Sequence, residues 1–187
     1  MMKRLIAACL VVASPLSAAD FSEGSNAKSW GLFGESMATF EAEVVDLLCN
    51  VAGDCANACA EGRQLGLLRT ADGELIFPQK NRQTSFNGAG TDLLPYCGKK
   101  VDVDGLMIED EDLPGAQNIY QIQFIKEAGS AEWNKANTWT KGWAAKHPEA
   151  KGKGPWFRRD PRVKAAIEAD GYLGLGMTHE EARAATR

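Results

Sequence analysis

FEAEVVDLLCNVAGDCANACAEGRQLGLLRTADGELIFP, residues 40–78, is the stretch on which the fold turns. Its first part alternates: Phe40, Ala42, Val44 and Asp46 fall on one side, and Glu41, Glu43, Val45 and Leu47 on the other. A period of two predicts a strand, and the loss of strict alternation near its end fits a segment buried on both faces. The strand runs into a cluster of three cysteines within eleven residues, Cys49, Cys55 and Cys59. After Gly62 a second apolar run, Leu65 to Leu68, predicts another strand. Ala71-Asp72-Gly73 then reads as a hairpin, because glycine takes the positive φ that a tight turn needs. Glu74 to Phe77 is the returning strand, stopped by Pro78.

Further along, Gly88 to Tyr96 has room for one short helical turn before a fourth strand, Lys99 to Ile108, with a glycine bend at Gly105. The acidic run Glu109 to Asp112, with Pro114-Gly115, makes a turn. Ile119 to Ile125 is the fifth strand, with Ile122 and Phe124 expected on one face. Five strands with a short helix between the third and fourth predict a mainly β domain, a five-stranded Greek-key barrel of the OB type, over residues 39–128. Residues 20–38, rich in Ser, Gly and Asn, form an N-terminal arm that Trp30 or Phe33 is expected to pin to the domain. Residues 129–187 form a Trp-rich, partly helical C-terminal extension.

The chain opens MMKRLIAACLVVASPLSAAD. A basic start (Lys3, Arg4), a short apolar core and the small residues Ser17-Ala18-Ala19 predict a signal peptide over residues 1–19, cleaved before Asp20. Ile6-Ala7-Ala8-Cys9 resembles a lipobox, but the apolar stretch continues past Cys9, which favours the ordinary signal. No later segment approaches the roughly 20 apolar residues of a membrane span. The expectation is an exported protein of the bacterial periplasm. Without Lys3 and Arg4 the 21 basic residues fall to 19 against 25 acidic ones, a net charge of about −6. Such a surface argues against nucleic acid and acidic lipid as partners.

The extension carries four of the five tryptophans. Trp139 and Trp143 stand four apart, on one face of a helix, flanked by Trp133 and by Trp156-Phe157. These aromatics either wrap over the barrel and complete its core or form a docking surface for another protein. Asp160-Pro161 is a helix start, and Thr178-His179-Glu180-Glu181 is a capping box. The two histidines, His147 and His179, have no evident Ser or Cys partner, so no catalytic triad is legible. Asp102, Asp104 and the run 109–112 lack the alternating oxygen ligands of a calcium loop.

EVVDLLC, CANACAEGRQLGLLRTADGEL and GKKVDVDGL together resemble a group of small secreted bacterial OB-fold proteins. In that group a strand ends in Cys, a C-x3-C pair precedes a Gly-Leu-Leu strand and an Asp-Gly hairpin, and Gly-Lys-x-Val-x-Val-x-Gly follows. The resemblance covers roughly residues 40–125 and implies the fold; the group carries no general activity to transfer. Its members often place a His just before the C-x3-C pair, where this chain has Ala52, Gly53 and Asp54. Cys97 stands where the related pattern has a small residue.

Four cysteines remain after the leader: Cys49, Cys55, Cys59 and Cys97. In an oxidising compartment they form disulfides, bind a metal or react. Structural disulfides are the first expectation, with a long bridge from Cys49 or Cys59 to Cys97. The second is a copper or zinc site built from Cys49, Cys55 and Cys59, completed by Asp54, Met107 or His179; Met177 and His179 offer a separate copper pair. The third is a thiol–disulfide oxidoreductase, though the chain has no C-x-x-C and no thioredoxin-like βαβ order. The sequence thus predicts a non-catalytic accessory or binding protein, partnered by another periplasmic protein and serving a redox or metal-dependent system.

Overall fold

The computed structural model describes residues 20–79, 87–109, 117–171 and 176–185. The predicted signal peptide, the lipobox and most of the acidic turn at 109–112 lie outside the described residues. β1 (Glu35–Asp46) runs into a short helix α1 (Leu47–Ala52). β2 (Leu65–Arg69) and β3 (Leu75–Gln79) follow, then α2 (Gly90–Leu93), β4 (Lys100–Ile108) and β5 (Ile119–Glu127). β1 pairs with β2 and β4, β2 with β3, and β4 with β5, all antiparallel; β3 then closes the ring on β5 in parallel. The result is a closed five-stranded mixed barrel. Beyond it come β6 (Asn134–Lys135), an extra strand on the outer edge of β5, and the helices α3 (Trp139–Lys146), α4 (Pro161–Asp170) and α5 (His179–Ala185). Among the described residues helix and strand are equal, about 29% each. The expected β character therefore belongs to the barrel, and helices dominate the extension.

The alternation of β1 sets the core. Ala38, Phe40, Ala42 and Val44 point inward against Leu65, Leu67, Ile76, Val101, Val103, Tyr120, Ile122 and Ile125, and α2 plugs one end with Leu93. Burial of this apolar surface is the main stabilising force. The Tyr120 hydroxyl, enclosed among these side chains, donates to the Ala38 carbonyl at 2.8 Å, so its polar end is satisfied. Burial pushes that phenol well above its ordinary pKa.

The hairpin forms as its sequence requires, with Gly73 at φ +74°. Gly105 is needed for a different reason: a Cβ there would lie 2.4 Å from the Gln121 carbonyl oxygen. The β4–β5 register slips at Asp104/Gly105, leaving Gln123 as the bulged residue. The slip corrects the expected phase of β5, because Ile125 rather than Phe124 joins Ile122 in the core. A bulge re-aims side chains, and the Gln123 amide both accepts from the Lys28 N–H (2.9 Å) and donates to the Lys28 carbonyl (2.7 Å).

The N-terminal arm is consequently stitched to the barrel, though not by the residues expected. Trp30 and Phe33 are exposed, Phe33 at 76%. Phe21 does the anchoring. Its ring meets Phe40 edge-on at 5.8 Å, with the Arg69 guanidinium 4.2 Å from its centroid. Asp104 accepts from Ser25 Oγ and from the Asn26 N–H. The three N–H groups of residues 30–32 all turn onto the Glu35 carboxylate, which leaves Trp30 and Phe33 on the outside of a tight loop.

Candidate functional site

β1 delivers Asp46 to the rim of the barrel, in phase with the buried residues. A carboxylate there needs partners, since an unpaired buried charge is costly. It finds four. It caps α1 by accepting from the Cys49 N–H at 3.0 Å, accepts from the Cys59 N–H at 3.0 Å, and is gripped in a fork by Arg63 Nε and Nη2, each at 2.8 Å. The Arg63 hydrogen bonds, aided by the two backbone donors, hold the Asp46 carboxyl far below the usual carboxylate range. Asp46 and then Asp54 drive the Arg63 guanidinium higher still. Arg63 also reaches Asp54, through Nη1 to Oδ2 (3.1 Å) and Nη2 to the carbonyl oxygen (2.7 Å). Arg63 thus ties the middle of the cysteine loop, at Asp54, to the barrel rim at Asp46.

Two disulfides complete the loop. Cys49 bonds Cys55, six residues on, and Cys59 bonds Cys97, 38 residues on. The long bridge runs from Cys59 rather than Cys49, selecting one of the two expected pairings. Cys59 sits at φ +63°, a conformation costly for a side-chain-bearing residue; the Asp46 carboxylate and the bridge hold it there. Cys55 and Cys59 do not share a helix, because α1 ends at the left-handed Gly53 and the chain turns.

The metal expectation fares differently. With the four sulfurs consumed in pairs, Cys49, Cys55 and Cys59 present no thiolate, and Asp54 is taken by Arg63. Met107 is buried in β4. Met177 and His179 flank the start of α5, in the extension, where Thr178 and Glu181 form the predicted capping box. Among the described residues no group of three or more His, Cys, Asp or Glu side chains is placed to hold a metal ion.

Beside the loop lies an open cleft of about 420 Å³, lined by Ala60–Arg63 on one wall, by Gly90, Thr91 and Leu94 of the α2 segment on another, and by Trp139. The Cys59–Cys97 bridge ties the first wall to the turn that follows the second. Asp92 draws the extension in by accepting from the Thr138 N–H at 2.9 Å and from its hydroxyl. Trp139 stacks with Trp143 at 6.4 Å and meets Trp156 at 4.5 Å; Trp156 in turn packs on Phe157. Trp143, only 5% exposed, is the centre of this cluster, while Trp133 stands apart under the Lys126 ammonium. The aromatic stripe therefore builds a small core of its own, outside the barrel interior, and offers Trp139 to the cleft.

Asp46, Arg63 and Asp92, which position the candidate site, belong to no motif in the sequence. The position of Asp46 in the inward phase of β1 was the one available signal; nothing local marks Arg63, whose partners are 9 and 17 residues away. No protein-family model, no curated protein and no solved structure matches the chain. Among the described residues no helix is long and apolar enough to cross a membrane.

Proposed function

We propose that this chain is an exported, non-catalytic binding module of the periplasm: an OB-type barrel that receives a partner protein in the cleft between its cysteine loop and Trp139. The OB assignment is supported by the strand order 1-2-3-5-4-1, by the parallel β3–β5 closure and by the helix between β3 and β4. Export is supported by the apolar, basic-headed leader and by the pairing of every cysteine outside it.

The observation that carries the binding reading is the convergence of three segments on one cleft: residues 60–63, residues 90–94 and Trp139. Each wall is fastened, by Arg63, by the Cys59–Cys97 bridge and by Asp92. A rigid concave wall with an aromatic edge loses little freedom on binding, which favours affinity. Of the expected systems, a redox partner fits the paired sulfurs better than a metal-handling one.

A photo-crosslinking amino acid placed at Thr91 in the exporting cell tests the reading. It should trap one defined protein, and the same probe at Asp72, which lines a different pocket, should not. Equal trapping at both positions, or none at Thr91, would remove the cleft as the binding site.

A further inference from the structure

The two disulfides differ in setting. Cys97 packs against the barrel core, and the Cys59–Cys97 bridge joins segments 38 residues apart. Cys49–Cys55 closes a loop of six, with Cys55 exposed and no residue of α1 buried. Two apolar side chains of the same short helix stand in solvent, Leu48 at 50% and Val51 at 71% exposure. The positions of both residues are also fixed independently of the bond. Asp46 holds the Cys49 N–H, and Arg63 holds Asp54, the neighbour of Cys55, by both its carboxylate and its carbonyl.

We infer that Cys49–Cys55 is a reversible thiol–disulfide exchange site, opened by an external dithiol while Cys59–Cys97 stays closed and the barrel stays folded. A thiolate of the dithiol attacks Cys55 Sγ, on the more exposed of the two residues. The Cys49–Cys55 bond breaks, and Cys49 leaves as a thiolate that takes a proton from water. The second thiol of the reductant, deprotonated, then attacks its own sulfur in the mixed disulfide and releases Cys55, which is protonated in turn. Two electrons and two protons pass to the protein, and the dithiol becomes a disulfide. The clamps at Asp46 and Arg63 keep the two thiols close, so the bond re-forms when an oxidant returns. The exposed Leu48 and Val51 of α1, the helix that carries Cys49, suit a dithiol protein, whose contact surface covers apolar groups, better than a small charged thiol such as glutathione. The inference stands independently of the cleft.

The test equilibrates the full exported protein in graded ratios of reduced to oxidised dithiothreitol. Free thiols are blocked by alkylation and mapped by peptide mass, and the circular dichroism of each sample is recorded. Cys49 and Cys55 should become alkylated together at ratios that leave Cys59 and Cys97 unmodified and the spectrum unchanged. Asp54→Ala, which keeps the Asp46–Arg63 pair, should shift their opening to a lower ratio, and Arg63→Ala should shift it further, by about tenfold. In rate measurements a thioredoxin-class dithiol protein should open the pair faster than glutathione at equal thiol concentration; faster opening by glutathione would exclude the protein reductant. Simultaneous opening of both bridges, earlier opening of Cys59–Cys97, or loss of the barrel spectrum with Cys49–Cys55 would overturn the inference.

Discussion

Replacing Cys59 and Cys97 together by Ser should cost far more stability than replacing Cys49 and Cys55. A cross-link stabilises by removing conformations from the unfolded chain, and its effect grows with the logarithm of the loop it closes. For a separation of 38 the loop-closure relation gives about 4 kcal/mol, and for a separation of six about 2 kcal/mol. Against a typical domain stability of roughly 5–15 kcal/mol, the first loss brings the barrel near its limit and the second does not. Urea denaturation followed by far-UV circular dichroism measures both, with stability taken from midpoint and slope together, because opening a cross-link expands the unfolded chain and raises the slope. The Cys59→Ser, Cys97→Ser variant should be the less stable of the two by about 2 kcal/mol. Equal losses, or a larger loss from Cys49→Ser with Cys55→Ser, would refute the division between a bridge that holds the fold and one that does not.

Asp46→Asn should lower stability at neutral pH by about 3 kcal/mol, because it leaves Arg63 without its buried partner. The folded-state pKa of Asp46 is depressed below the value of about 3.9 in an unfolded chain, so its contribution is complete at neutral pH and is withdrawn as pH falls below about 4. Denaturation midpoints of the two proteins should therefore converge in acid; a gap constant from pH 7 to pH 2 would contradict this. Gly105→Ala places a methyl group 2.4 Å from a backbone oxygen and should cost about 2 kcal/mol in the same urea assay. Trp143→Ala removes the centre of the aromatic cluster, about 3 kcal/mol of local packing, and should expose the extension to limited proteolysis while the barrel's thermal transition stays in place. A barrel that melts with the extension would show that the two share one core.

The barrel was largely legible in the sequence because its strands are amphipathic. The inward series Phe40, Ala42, Val44 and the turn at Asp72-Gly73 announce themselves locally. The phase of β5 was not legible, since the bulge at Gln123 depends on a close approach between Gly105 and Gln121 that no local pattern records. β6 was missed because two residues carry no periodicity. The expected anchor, Trp30 or Phe33, gives way to Phe21, which meets Phe40 and Arg69 while the Glu35 loop turns Trp30 and Phe33 outward. Of the candidate site, the cysteines were evident and their connectivity was only half so. Arg63 and Asp92 act across long sequence separations, and such contacts are a property of the folded topology.

Cys49, Cys55, Cys59 and Cys97 are joined in two pairs, and the proposed binding module rests on that pairing. Alkylation of the mature protein purified from its host without reductant, followed by intact mass and metal analysis on the same sample, tests it most directly. The expected result is a mass with no alkyl groups before reduction and four after reduction in denaturant, with no stoichiometric metal. Four free thiols in the native protein, accompanied by one bound copper or zinc ion, would contradict it.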